Sequence, residues 1–104
     1  MAAVYDHAVL EGAYQRGHAV AFLGIDGGRA LNAGQARAVR AALAGVAGVE
    51  RASIRVSPES ASCSVAYDPR RATPETVAAR ASRRLASHGL TLLLLPFGGP
   101  ASAP

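Results

Sequence analysis

The strongest constraint on the fold is the order in which two kinds of apolar pattern follow each other along the chain. An unbroken apolar run at 19–25 is typical of a buried strand, and a glycine-containing loop follows at 26–29. A helical stripe, two segments of alternating apolar residues, a second helical stripe and an apolar run at 90–95 complete the series. With right-handed crossovers, the order strand, helix, strand, strand, helix, strand predicts an α+β, ferredoxin-like βαββαβ sandwich. Its four-stranded antiparallel sheet carries both helices on one face.

Both helices have clear start signals. Asn32 is a favourable N-cap, and Gln35 three residues later completes a capping box. The run Thr73-Pro74-Glu75 supplies an N-cap, a proline at the first helical position and an acid in the first turn. Each helix then shows one apolar stripe, formed by Ala36, Val39, Leu43 and Val46 in the first and by Val77, Ala78, Ala81 and Leu85 in the second.

The two middle strands are predicted from alternation. Their inward residues are Ala52, Ile54 and Val56 in one strand and Cys63, Val65 and Tyr67 in the other. A tight turn at 57–60, containing Pro58, would join them as a hairpin. The last strand is predicted to end at Pro96.

These patterns divide the 104 residues into one domain and two flanking segments. We expect the domain at 18–96, a weakly helical or disordered extension at 1–17, and a linker-like tail at 97–104. No apolar run approaches the ~20 residues of a membrane span, and the start of the chain lacks the basic region of a signal peptide. We therefore expect a cytoplasmic location and no membrane span in this chain.

Three short motifs resemble the heavy-metal-associated domain, which is found in copper chaperones and at the N-termini of heavy-metal P-type ATPases. They are Ala42-Leu43-Ala44-Gly45-Val46-Ala47-Gly48-Val49 at the end of the first helix, Tyr67-Asp68-Pro69 at the end of the third strand, and Gly89-Leu90 after the second helix. The resemblance covers roughly residues 19–95 and implies the ferredoxin-like fold and a role in metal transport.

The metal-binding cysteine pair of that family is missing from this chain. Counted back from Ala42-Leu43, the two cysteine positions fall on Asn32 and Gln35. Amides are poor ligands for soft ions such as Cu(I), whereas helix capping accounts for both residues. Cys63 is the only cysteine and has the inward phase of its strand, so we interpret it as a core residue. No thiolate metal site is expected.

A different donor set remains possible at the same end of the predicted fold. The loop after the first strand, the turn between the middle strands and the loop after the second helix share one rim, which would bring Asp26, Glu59 and His88 together. Carboxylates with an imidazole suit a divalent transition metal ion such as Zn, Ni or Co. The competing explanation is that His88 is a favourable cation in a last helical turn and Asp26 an ordinary loop residue.

No catalytic constellation is found, so the chain is not expected to be an enzyme. The segment Gly27-Gly28-Arg29 with Asn32 offers the residue types of an acylphosphatase anion loop, but the loop pattern of that family is absent. A small-ligand regulatory domain of the same topology stays open.

Nucleic acid is not an expected partner, although basic residues outnumber acidic ones by 11 to 7. If Val20 and Phe22 face the helices, the open face of the sheet offers no aromatic ring for base stacking. It would carry Ala19, Ala21, Leu23, Ser62, Ser64 and Ala66. Arg80, Arg83 and Arg84 are interpreted as a solvated helix face.

The sequence thus predicts a regulatory or docking module of a metal-transport system, for example the N-terminal domain of a P-type metal ATPase. Its partner would be the remainder of such an ATPase or another metal-handling protein. The alternative is a protein-interaction or small-ligand regulatory domain unrelated to metals.

Overall fold

Four strands and two long helices follow one another in the predicted order in the computed structural model, which describes residues 17–26 and 29–98. The strands are β1 (Ala19–Ile25), β2 (Arg55–Ser57), β3 (Ser62–Tyr67) and β4 (Leu92–Gly98), and the helices are α1 (Ala33–Ala44) and α2 (Pro74–Leu85). Short 3₁₀ turns occupy Arg51–Ser53 and Ala86–His88. The strands form one sheet of order β2-β3-β1-β4, in which all neighbours are antiparallel. The ferredoxin-like prediction is confirmed.

The predicted helix starts are also confirmed. The Asn32 side chain accepts a hydrogen bond from the Gln35 backbone N–H at 2.8 Å, and the Gln35 side chain accepts one from the Asn32 N–H at 2.9 Å. Thr73 caps α2 by accepting from the Thr76 N–H at 3.1 Å, and Pro74 takes the first helical position. These contacts satisfy amide groups that have no partner within the helix itself.

The core lies between the helices and one face of the sheet. That face carries Ala19, Ala21, Leu23 and Ile25 of β1 and Cys63, Val65 and Tyr67 of β3, all of them buried. Both helical stripes pack against it, with Val39, Leu43, Val77 and Leu85 almost completely buried. The inward phase predicted for β3 is therefore confirmed.

The phase considered for β1 was wrong. Val20 and Phe22 lie on the other face of the sheet, where they form a small separate cluster with Ala66. Register explains the outcome, because Leu23 pairs with Cys63 and opposite residues of an antiparallel pair share a face. Both alternating sets of β1 are apolar, so the alternation within β1 carried no information about phase.

The second strand is shorter than predicted. Residues 51–53 form a 3₁₀ turn, Ala52 is exposed, and the strand begins only at Arg55. Buried Ser53 explains the change, because its hydroxyl donates to the Glu50 carbonyl at 2.6 Å and accepts from the Ala66 N–H at 2.8 Å. A side chain here takes over a hydrogen bond that a longer β2 would have supplied from its backbone.

The last strand begins at Leu92 and continues through Pro96 to Gly98, three residues beyond the predicted end at residue 95. β4 is an edge strand, so a residue without a backbone N–H is tolerated there. Its register against β1 shifts between Ala21 and Leu23. The segments 1–16 and 99–104, which hold most of the predicted extension and tail, lie outside the described residues, and the domain boundaries stay predictions. Within the described ranges, no helix has the length and apolar character needed to cross a bilayer.

Candidate functional site

Three loops meet at the end of the sheet where α1 begins, and we call them together the loop rim: residues 26 and 29–32, 58–61 and 86–91. Backbone hydrogen bonds of 2.8 Å join them, from Ile25 N–H to the Ala61 carbonyl, from Asp26 N–H to the Thr91 carbonyl and from Leu31 N–H to the Pro58 carbonyl. The loops that carry Asp26, Glu59 and His88 therefore belong to one rim, as the topology predicts.

The side chains of these three residues do not form a ready-made metal site. Asp26, Glu59 and His88 are all exposed. Across residues 17–26 and 29–98, no group of three or more His, Cys, Asp or Glu side chains is placed to hold a metal ion. The structure thus brings the loops together, but it leaves each of the three side chains as a separate donor.

His88 borders a cleft of about 200 Å³ between the two helices. The other lining residues are Ala38, Ala41 and Ala42 of α1 and Arg84 of α2. A metal ion bound by His88 in this cleft would lie near the Arg84 side chain, whose positive charge opposes binding.

Asn32 and Gln35, the residues predicted to stand at the two cysteine positions, are used for helix capping. The Asn32 Oδ1 and Gln35 Oε1 atoms, which are the oxygens an amide could offer to a metal, each accept a backbone N–H of the capping box. The same bonds engage Asn32, which was considered as a water-orienting amide in an acylphosphatase-like loop, while Arg29 is exposed. The absence of enzymatic activity stays a prediction.

Cys63 is confirmed as a core residue. It is 1% exposed, lies among the helix-facing side chains of the sheet, and its thiol is not in a disulfide. Burial raises the pKa of the Cys63 thiol to about 12, because a thiolate would lose its hydration there. At neutral pH the group is a protonated thiol, which is not a nucleophile or a metal ligand.

The opposite end of the sheet holds a charged cluster that the sequence did not predict. This cluster borders a cleft of about 330 Å³, and we call the cluster the His18 end. The cleft is lined by His18, Gly48, Val49, Glu50, Arg51, Asp68 and Arg71. The His18 Nδ1 atom is buried without a hydrogen bond and lies 3.5 Å from the Glu50 carboxylate. When protonated, His18 therefore forms an ion pair with Glu50.

Asp68 at the same end is held by Arg70. The carboxylate accepts from the Arg70 backbone N–H at 3.0 Å and from its Nε at 3.1 Å. These hydrogen bonds to Arg70, with smaller contributions from the charges of Arg70 and His18, lower the pKa of Asp68. No sequence pattern indicated the cluster, because a long-range pairing, that of Val49 with Tyr67, brings residue 50 to this end of the sheet.

Among the comparisons with known proteins, only those with solved structures found similar proteins. No protein-family model matches the chain, and no curated protein matches its sequence. The solved structure of a copper-binding domain from HMA7, a P-type ATPase, is similar with a TM-score of 0.61 at 22% identity, covering 74% of this chain and 93% of that domain. The chain has the heavy-metal-associated fold.

Two further solved structures are similar to this chain in fold. The N-terminal domain of a potential copper-translocating P-type ATPase from Bacillus subtilis, in its Cu(I)-loaded state, has a TM-score of 0.60 at 21% identity and covers 84% of this chain and 96% of that domain. The N-terminal domain of the zinc(II) ATPase ZiaA in its apo form has a TM-score of 0.52 at 20% identity, with coverages of 82% and 68%.

The residues of the loop rim do not fit a copper–thiolate site of the kind that this fold implies. Cu(I) prefers soft sulfur ligands. Here the only cysteine of the chain is buried in the core, and the two amides at the cysteine positions have their oxygens engaged in the helix cap. Among the described residues of this rim, the imidazole of His88 and the carboxylates of Asp26 and Glu59 are the candidate side-chain ligands for an ion.

Proposed function

We propose that this chain is a divergent heavy-metal-associated module that serves a metal-transport system by docking or regulation. The observation that carries the proposal is the combination of the heavy-metal-associated fold with a capping box at Asn32 and Gln35. The scaffold is kept, while the atoms that would carry a soft ion are replaced by atoms that stabilise a helix. Such a module keeps surfaces for recognition but cannot deliver Cu(I) from this loop.

The module responds to metal through single donors of the loop rim. His88 offers an exposed imidazole, and Asp26 and Glu59 offer exposed carboxylates on adjoining loops. Imidazole and carboxylate suit Zn, Ni or Co better than Cu(I). Because no three-donor group is assembled in the described part of the chain, such an ion binds weakly.

The partner we propose is the remainder of a metal-transporting P-type ATPase, or another metal-handling protein, on the cytoplasmic side of the membrane. Support comes from the similar solved domains, several of which are parts of P-type ATPases. The module itself is proposed to be non-catalytic.

Backbone NMR shifts test the metal response. Zn, Ni, Co and Cu(I) are added separately to the full chain, to His88→Ala and to the control His18→Gln, whose imidazole lies at the other end of the sheet. We expect weak shifts with Zn, Ni or Co at residues 24–26, 29–35 and 86–90, lost in His88→Ala and kept in the control. No shift with any ion would overturn the metal role.

That negative result would favour a second candidate, an interaction or small-ligand module unrelated to metals. The observation in its favour is the separation of Asp26, Glu59 and His88 as donors. Tight Cu(I) binding by the unmodified chain would contradict both candidates.

A further inference from the structure

Three arginines of α2 line an open cleft beside the C-terminal end of α1. One side of this arginine cleft is formed by Arg80, Arg83 and Arg84, and the other by residues 45–47. Its volume is about 520 Å³. All the lining residues are arginine, glycine, valine or alanine, so the cleft combines positive charge with a small apolar wall.

Arg84 is fixed in this cleft by Gly45. Its Nη2 donates to the Gly45 carbonyl at 3.1 Å. A Cβ on residue 45 would lie 2.9 Å from the guanidinium carbon, so the cation packs directly against the bare backbone of the glycine. The Arg84 side chain is therefore held in place before any ligand arrives, which lowers the entropy cost of binding at this position.

Arg80 and Arg83 have no compensating charge in the described part of the chain. Neither makes a hydrogen bond or ion pair within residues 17–26 and 29–98, and both are exposed. Arg80 precedes Arg84 by four residues, a spacing at which like charges on a helix repel. The helix dipole favours Arg83 and Arg84 in the last turn but does little for Arg80, one turn earlier. An anionic ligand would relieve this repulsion.

The surroundings of the cleft are also basic. The two helices together contain five arginines and one acid, Glu75, which lies in the first turn of α2. The other acids of the described ranges lie at the two ends of the sheet and are Asp26, Glu50, Glu59 and Asp68. The helix layer thus carries little negative charge of its own, and it attracts negatively charged partners over a distance.

We infer that the arginine cleft docks an acidic segment of a partner protein. Carboxylates of the partner pair with the free guanidinium forks of Arg80 and Arg83, which match carboxylate geometry, while the exposed Ala47 contacts an apolar side chain beside them. A nucleic acid is the less favoured ligand, because no aromatic ring lines the cleft for base stacking. The inference rests on the docking role proposed above, and it specifies that the docked partner segment is acidic.

Titration with a ten-residue glutamate peptide tests the inference. The full chain is followed by backbone NMR at low salt, with a ten-residue glutamine peptide as the uncharged comparison. The variant Arg80→Gln/Arg83→Gln removes two charges at the cleft. The matched control Arg29→Gln/Arg51→Gln removes two exposed charges elsewhere.

We expect the glutamate peptide to shift residues 45–47 and 80–84, and the cleft variant to bind about tenfold more weakly. The control variant should lose only the small part of the peptide affinity that comes from non-specific attraction between opposite charges. Equal losses in both variants, or no binding to the unmodified chain, would refute the docking site. Tighter binding of inorganic phosphate or of single-stranded DNA than of the peptide would also refute it.

No metal is present in this titration, so its failure is separate from failure of the metal role. Peptide binding without any ion response would leave the cleft standing and remove its metal-transport setting. An ion response at His88 without peptide binding would support the metal role and refute the arginine cleft as a docking site.

Discussion

The two ends of the sheet use polar side chains in opposite ways. At the loop rim, backbone hydrogen bonds join the loops, and Asp26, Glu59 and His88 stay exposed. At the His18 end, backbone hydrogen bonds donated by Glu50 and Asp68 are supplemented by side chains: the hydroxyl of neighbouring Ser53 bonds to two backbone groups, and the His18 side chain, 14% exposed, lies against Glu50. The loop rim, which carries the residue types of a binding site, is thus held together by backbone hydrogen bonds. Its side chains of Asp26, Glu59 and His88 are therefore available to bind other partners.

The largest effect in this comparison is expected from Ser53→Ala. The substitution leaves the buried Ala66 N–H without its 2.8 Å partner, which should lower the free energy of unfolding by about 1–3 kcal/mol. Urea unfolding measures the change. The matched control is Ser60→Ala at the loop rim, whose exposed hydroxyl bonds only to the neighbouring serines and the Ser57 carbonyl. Equal effects of the two substitutions would break the comparison.

A smaller loss is expected from Asn32→Ala, because the Asn32 side chain caps α1 at the loop rim. Removing the cap of α1 should cost about 1 kcal/mol, because the Gln35 N–H loses its acceptor. The reference is Thr73→Ala, which removes the corresponding cap of α2 and should cost a similar amount. An Asn32→Ala variant as stable as the unmodified chain, in the same urea measurement, would show that the amide is not there for capping.

The smallest effect on stability is expected from Arg70→Ala, which should change the pKa of Asp68. Arg70 holds the pKa of Asp68 below its ordinary value, so in the folded state the carboxylate is favoured. This contribution to stability is present above the unfolded pKa of Asp68 and is lost as the pH falls through the folded one. In Arg70→Ala the folded pKa should rise, as followed by carboxyl NMR shifts. An unchanged pKa would mean that other groups hold the carboxylate.

Local signals predicted the helices well, and long-range pairing decided what the sequence left open. The caps at Asn32 and Thr73 depend on residues only three positions away, so they could be read from the chain. The phase of β1 could not, because both of its faces are apolar and only the pairing of Leu23 with Cys63 selects one. Pro96 was interpreted as a strand end because proline cannot donate to a strand ladder, but β4 lies at the edge of the sheet, where the missing N–H is tolerated.

The candidate site was predictable to the level of loops but not of side chains. Topology was enough to place the loops of Asp26, Glu59 and His88 on one rim, since it fixes which connections share an end. The direction of each side chain depends on local backbone geometry that spacing does not encode. The arginine cleft was missed for a similar reason, because the contact of Arg84 with Gly45 spans 39 residues.

The most direct test of the central claim is to return sulfur to the loop. The claim is that Asn32 and Gln35 occupy metal-ligand positions of a heavy-metal-associated scaffold and serve as caps instead. The double variant Asn32→Cys/Gln35→Cys places two thiolates at a helix N-terminus, where the helix dipole stabilises them. Cu(I) affinity is measured by competition with a chromophoric chelator, and Asn32→Cys/Gln35→Ala and Asn32→Ala/Gln35→Cys are the single-thiol controls. The account predicts one tightly bound Cu(I) per chain in the double variant alone. A double variant that binds Cu(I) no better than either single-thiol control would contradict it.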